Sequence, residues 1–515
     1  MHTQDRATRR IGGARLALAL LLGATSLPAA AAPWLPVGDR VLRNDVEILA
    51  AHGLIDHLVM SWPIPKGQFE QLRDNPALEQ QLAEKPEYVR RAAQRVLAYL
   101  DAGEVTRVAS LRVTNAPAVV RDFGTSARNE VDARLGVDYE SGNFAASVRV
   151  GGMTDVDGTD DADFLPDDSY ISYKGWLGLR YYAGWVEQWY GPGAISSLMW
   201  SNNARPLPKI GFMRDNPKAF DTPLLHWLGP FQINGFLGYY DENRIDDNVM
   251  LGSLRFTINP LPGFEMSIMR SSQFCGDRNG QEVNGRTCNP FTAAFEVWNK
   301  DGDANETNDQ ANPVEMKYTH QFKNVAVSPY IQTMNEDTPP FVHSYSSHLF
   351  GLAFTGPWGL AGGSWNLTAE FTDSIATYAM FGFNRRIHGL AYSNTGYLDG
   401  FRYRGRSQGF SLDSDSQLGS LALMLVDSKG WNYRLVYHYV SISTEQLQAQ
   451  ENRPENTAFR NVVSRIPRQW NELNAGLSMP LGKLSLEMLV RVRDENPPAD
   501  IGDQFEAELG MSYRF

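Results

Sequence analysis

Near the C-terminus, apolar and polar residues alternate with a period of two. Phe505, Ala507, Leu509, Met511, Tyr513 and Phe515 fall on one face, and Glu506, Glu508, Gly510, Ser512 and Arg514 on the other. That is the pattern of an extended strand with unlike faces. It recurs with Val131, Ala133, Leu135, Val137 and Tyr139 against Glu130, Asp132, Arg134, Gly136 and Asp138. After the turn Glu140–Asn143 it continues through Phe144, Ala146, Val148 and Val150, and it returns at Leu484, Leu486, Met488, Val490 and Val492. Strand pattern alone fits a two-sheet sandwich as well as a barrel. The connections separate the two. Short turns at 140–143, 174–175, 259–263, 323–324, 356–363, 428–430 and 480–483 alternate with longer polar segments at 155–168, 241–248, 274–312, 335–344, 375–415, 444–468 and 495–503. A sandwich has no reason to place every long loop at one end, whereas a transmembrane antiparallel β-barrel does so by construction. With 204–230 taken as one irregular excursion, the count is about 18 strands, an even number that returns the C-terminus to the side of the short turns.

Residues 39 to 103 keep a helical period instead. Asn44 or Asp45 can cap a helix carrying Val46, Leu49, Ala50 and Leu54, with Gly53 as its stop. Phe69 and Leu72 suggest a short second helix. Pro86 opens a third with Val89, Ala93, Val96, Leu97 and Leu100 on one stripe, ending at Gly103. This unit is too small to bury a core alone, so it is expected to dock on the barrel. Residues 1 to 31 read as a cleaved export signal. Arg6, Arg9, Arg10 and Arg15 precede the apolar run Leu16–Leu22, and Ala29-Ala30-Ala31 is the small-residue site. The resulting division is 1–31 signal peptide, 32–103 periplasmic helical bundle and 104–515 outer-membrane barrel. The terminal Phe515, with Tyr513 two residues before it, resembles the signal that the barrel-assembly machinery reads.

Composition refines this without changing it. The mean hydropathy of −0.35 suits a barrel, whose lipid-facing residues are every second one and disappear on averaging. The net charge is −12, and removing residues 1–31 takes away four Arg and one Asp to leave −15. So acidic a chain, without basic clusters, argues against nucleic acid as a partner. Cys275 and Cys288 sit in one polar loop, and an oxidising periplasm makes a disulfide between them the expectation, contributing roughly 3 kcal/mol in the chain-entropy account.

Several stretches resemble the capsule-assembly outer-membrane family known as Wzi. They are Arg43-Asn44-Asp45 with Ile48-Leu49-Ala50 and Gly53, Trp62-Pro63, Trp189-Tyr190-Gly191-Pro192-Gly193, and Ser201-Asn202-Asn203-Ala204-Arg205-Pro206 with Pro208. Trp227-Leu228-Gly229-Pro230, Pro260-Leu261-Pro262, Arg270–Phe274 and Tyr403-Arg404-Gly405-Arg406 follow in family order. The set covers most of the mature chain. The resemblance implies an 18-stranded barrel with a periplasmic helical bundle, and a role in holding capsular or related polysaccharide at the cell surface. The chain departs from the pattern in loop 274–312, which is long, acidic and carries both cysteines.

Two groups are candidates for glycan contact. Trp189, Tyr190, Asn202, Asn203 and Arg205 combine aromatic faces, amides and a guanidinium, the mixture that binds sugars. The same residues would also serve a segment folded into the lumen, whose irregular backbone needs buried partners. Tyr403, Arg404 and Arg406 lie in the longest loop, where they could meet an acidic glycan or stand as ordinary loop residues. Gly405-Arg406-Ser407-Gln408-Gly409 has the spacing of a nucleophile elbow, but the strand-to-helix context that the chemistry needs is missing. Two acidic runs, Asp155/Asp157/Asp160/Asp161/Asp163 and Asp301/Asp303/Asn305/Thr307/Asp309, read as solvated loops. The second fails the calcium-loop pattern at Glu306 and Asn312. The expectation is a non-catalytic attachment protein without metal or cofactor. Its partners would be capsular or exopolysaccharide, outer-membrane lipids and the assembly machinery, and it is expected to be a monomer. A saccharide diffusion channel is the first rival, and a hydrolase resting on Ser407 the second.

Overall fold

The computed structural model describes residues 32–101, 104–153, 165–276, 309–336, 345–359, 362–379, 381–447, 460–495 and 502–515. Eighteen antiparallel strands close into a barrel. The first six are β1 (Val105–Thr114), β2 (Val131–Ser141), β3 (Phe144–Met153), β4 (Tyr170–Lys174), β5 (Leu179–Gly184) and β6 (Lys209–Arg214). Next come β7 (Phe231–Tyr239), β8 (Val249–Leu261), β9 (Phe264–Cys275), β10 (Asp309–Tyr318, resuming as His320–Phe322), β11 (Val325–Glu336) and β12 (Tyr345–Trp358). The last six are β13 (Gly363–Thr377), β14 (Gln417–Val426), β15 (Asn432–Ile442), β16 (Arg468–Leu481), β17 (Leu484–Arg493) and β18 (Phe505–Arg514). Closure is made by β18 on β1, in the register Met511↔Leu111 and Tyr513↔Ala109. Every strand backbone therefore has a partner on both sides, as a bilayer requires.

Side-chain burial is inverted relative to a soluble sheet. On β18, Phe505 is 56% exposed and Leu509 45%, whereas Glu506 and Glu508 are 0% and 5%. The apolar face looks out to lipid and the charged face into the lumen, which no sandwich would tolerate. Inside, the charges pair across neighbouring strands. Arg493 Nε lies 2.8 Å from Glu472, Arg491 Nη2 2.6 Å from Glu508, and Arg112 Nη1 3.2 Å from Glu508.

The N-terminal unit contains α1 (Arg40–Ala51), α2 (Glu70–Arg73), α3 (Leu78–Ala83) and α4 (Glu87–Leu100). The sequence placed the start of α1 at Asn44 or Asp45, but Asp39 is its cap, accepting from the Leu42 amide at 2.9 Å. Asn44 and Asp45 are instead buried inside the helix. Asp45 is held by Arg95 of α4 at 2.6 Å, which ties the two longest helices together. The unit docks at the short-turn end of the barrel. Lys66 reaches Glu140 (2.9 Å), Lys317 reaches Glu47 (3.0 Å), and Glu265 accepts from the Val59 and Met60 amides (2.9 and 3.0 Å).

Two further features depart from the sequence reading. The expected excursion 204–230 contains β6, which is only six residues long and pairs with β5 through Lys209↔Gly184 and with β7 through Lys209↔Gly238. In addition, residues 115–130 between β1 and β2 are not a simple loop. They turn inward, and Gly38 bridges Gly124 in parallel. A Cβ on Gly124 would lie 1.8 Å from the Arg40 guanidinium carbon, so a side chain there would displace Arg40 from Asp122.

Candidate functional site

Among the described residues, segments 115–130, 185–208 and 388–416 fold into the lumen, leaving and re-entering the wall at the long-loop end. Segment 185–208 is irregular, and wall side chains satisfy its backbone. The Glu370 carboxylate of β13 accepts from the amides of Ala194 (2.9 Å) and Ser196 (2.7 Å) and from the hydroxyls of Ser196 and Tyr330, both at 2.9 Å. Gln332 Oε1 of β11 accepts from the Leu198 amide at 2.8 Å, and Trp200 Nε1 donates to Ser271 at 2.9 Å. Trp189 and Tyr190 form a short ladder with Trp62 and Ser61 of the N-terminal unit. Phe123 stands between the indoles, its ring 5.1 Å from Trp62 and 5.5 Å from Trp189, with the Arg43 guanidinium 4.6 Å over it. The two inward segments and the helical unit thus share one core.

All five candidates in this segment are buried. Trp189 Nε1 donates to the Gly193 carbonyl at 3.0 Å, and the Tyr190 hydroxyl accepts from Gln188 Nε2 at 2.7 Å. Asn202 Nδ2 donates to the carbonyls of Phe123 and Gly124, each at 3.1 Å. Asn203 Nδ2 donates to the Ser407 carbonyl at 2.9 Å, and Arg205 Nη2 lies 3.1 Å from Asp167. Their donors face other parts of the protein rather than the outer surface.

The second group splits. Arg402–Tyr403 and Arg406–Ser407 pair as a miniature hairpin. Its two turn residues, Arg404 (φ 48°) and Gly405 (φ 71°), both take the left-handed conformation that such a turn requires. Tyr403 bonds to Asp241, and the Arg404 amide donates to Glu242 at 2.5 Å, so both sit among acidic neighbours. Arg406 is half-buried and within electrostatic reach of Arg128, of like charge. The structure therefore brings the two groups together only where Asn203 meets Ser407, next to Arg406. Gly409 seals this junction, since a Cβ there would come within 2.1 Å of the Leu198 carbonyl oxygen. Ser407 is 1% exposed, donates to the Phe410 carbonyl and accepts from Asn203. Its oxygen is spent on the hairpin.

Cys275 is disulfide-bonded, and Cys288 lies outside the described residues. So do both acidic runs except Asp309, which is buried in β10. Among the described residues no three His, Cys, Asp or Glu side chains are grouped to hold a metal. Sequence reasoning missed segment 115–130, including Arg121, Asp122 and Phe123. Asp122 pairs with Arg40 at 2.7 Å and also with Arg434. The one available signal was negative: 115–130 is a stretch as long as the outer loops but without their acidic composition.

Comparison with known proteins bears directly on this architecture. The profile of a family described as capsule assembly protein Wzi matches residues 103–478. The chain belongs to the Wzi family. An uncharacterised 55.8 kDa protein in the cps region of Klebsiella pneumoniae is 25% identical over 446 residues, which span 84% of this chain and 83% of that protein. The crystal structure of Wzi from Escherichia coli superposes with a TM-score of 0.75 at 20% identity, covering 94% of this chain and 99% of that one. That protein is described as an outer-membrane protein involved in group 1 capsule assembly and a carbohydrate-binding β-barrel. This Wzi-family chain is accordingly an outer-membrane β-barrel of the capsule-assembly type.

Proposed function

We propose that this Wzi-family protein holds capsular or related extracellular polysaccharide at the cell surface and catalyses no reaction. In this reading the helical unit faces the periplasm, the long loops face outward, and outer-membrane lipids surround the wall. The chain inserts through the barrel-assembly machinery and works as a monomer. The observation that carries the reading is the filled lumen: the inward segments and the docked helical unit pack into two adjoining cores, 115–130 and 185–208 contribute to both, and wall side chains such as Glu370 and Gln332 hold segment 185–208 in place. A diffusion channel needs an aqueous path along the barrel axis, and tightly held chain in the lumen works against one. The capsule-associated family supports polysaccharide as the partner, and the loop end offers the surface for it. The test is co-sedimentation of proteoliposomes carrying the mature protein with capsular polysaccharide purified from the same cells. Saturable retention that is absent from empty liposomes is expected. Equal retention by both would overturn the reading.

A further inference from the structure

A chamber of about 510 Å³ lies between the inward segments, the wall formed by β1–β4 and β15–β18, and α4. Its size is that of a small-ligand site and suits a short oligosaccharide. Trp34 and Tyr170 line it with ring centroids 4.4 Å apart, and Tyr99 of α4 adds a third aromatic face. At the short-turn end it reaches Asp39, Lys483 and Arg514, all exposed, so that end is its mouth. The lining combines aromatic rings, serines and charges, a mixture able to hold a sugar.

Most of the chamber's cations are neutralised. Arg112 is paired with Glu487 (2.8 Å), Arg128 with Glu187 (2.8 Å), Arg134 with Asp132 (2.7 Å) and Arg149 with Asp138 (3.2 Å). Arg121 is different. It lines the same chamber, is only 4% exposed, and has no carboxylate partner among the described residues. Its Nη2 donates to the Ala127 carbonyl at 2.5 Å, and its Nε has no hydrogen-bond partner. The charges of Arg406 and Arg128, of like sign, act on it most strongly, and the opposing Glu508 is already paired with Arg112 and Arg491. Arg406 is itself half-buried and, among the described residues, in no ion pair. A guanidinium cannot shed its proton, and a buried charge without a counter-charge is costly. The protein therefore keeps a guanidinium with no ion-pair partner of its own among the described residues against a sugar-sized chamber.

We propose that Arg121, with Arg406 behind it, seats the carboxylate of an acidic oligosaccharide that enters the chamber from the short-turn end. A carboxylate would pair with the guanidinium and relieve its like-charge crowding, while the sugar rings meet Trp34, Tyr170 and Tyr99. The site is separate from the outer loops, although the choice of a saccharide as occupant rests on the polysaccharide reading above.

The experiment is calorimetric titration of the detergent-solubilised mature protein with three probes: trigalacturonate, a neutral trisaccharide and inorganic phosphate. Trigalacturonate is expected to bind, to weaken as salt rises, and to exceed the neutral sugar by tenfold or more. Arg121→Gln is expected to lose tenfold or more for trigalacturonate, and Arg406→Gln several-fold. Heat-modifiable migration in gels confirms that each variant is a folded barrel. Unchanged trigalacturonate binding in both variants, or equal binding of the neutral sugar, overturns the proposal. Binding of phosphate without trigalacturonate overturns the saccharide and leaves a site for a free anion. Polysaccharide retention on cells scores the attachment reading separately: retention there, with no trigalacturonate binding in the titration, overturns the chamber alone.

Discussion

Glu370 shows how much one wall residue can decide. Its two oxygens receive two backbone amides and two hydroxyls from the lumen. Truncation leaves the Ala194 and Ser196 amides unpaired in a buried place, each costing about 1–3 kcal/mol. Glu370→Ala should therefore lower stability in urea titration by roughly 3 kcal/mol. It should also loosen segment 185–208, so that planar-bilayer recordings show ion flow absent from the parent; a silent variant of unchanged stability would contradict this. At this scale the sequence was partly legible. Asn202, Asn203 and Arg205 stood out because amides and a guanidinium crowd a stretch without strand period. Arg121 and Asp122 did not, because an isolated charge in a loop carries no mark of burial until the fold brings Arg40, Arg434 and Arg406 to it.

Among the elements, the N-terminal unit is where pH should act. Burial lowers the imidazoles of His52 and His57 from an ordinary 6.5 to about 4. Between those values the folded unit binds fewer protons than the unfolded one, so their contribution is lost as pH falls through that window. Burial raises the Asp45 carboxyl from 3.8 to about 6 despite Arg95 beside it. That contribution has the opposite sign and is lost as pH rises through 6. Burial raises the Asp56 carboxyl as well, so two histidines stand against two aspartates; the histidine window opens at 6.5 and that of Asp45 only at about 6, which leaves a net loosening from pH 7 to pH 5. Hydrogen exchange of 40–51 and 87–100, corrected for intrinsic rates, should show weaker protection at pH 5 than at pH 7, and replacing both histidines by Gln should flatten the difference. Stronger protection at pH 5 would refute the assignment. The period-two strands and the short turns were readable because lipid on one side and a polar lumen on the other force strict alternation. The start of α1 was misread because Asp39, Asn44 and Asp45 are all competent caps, and only packing against α4 shows which of them are interior. β6 was missed because six residues are too few for alternation to stand out from an excursion.

For the molecule as a whole, the alternation of short and long connections and the even strand count pointed to a closed barrel, and family membership joins that barrel to capsule assembly. What fills the barrel was less legible, because burial inside a lumen depends on contacts between segments hundreds of residues apart, such as Asn203 with Ser407. The central claim is attachment by a plugged barrel, and the direct measurement is the partition of polysaccharide between cells and medium in a strain lacking the protein, with and without complementation. The account predicts a normal total, a shift from surface to medium, and recovery on complementation. A surface layer that stays intact without the protein would contradict it.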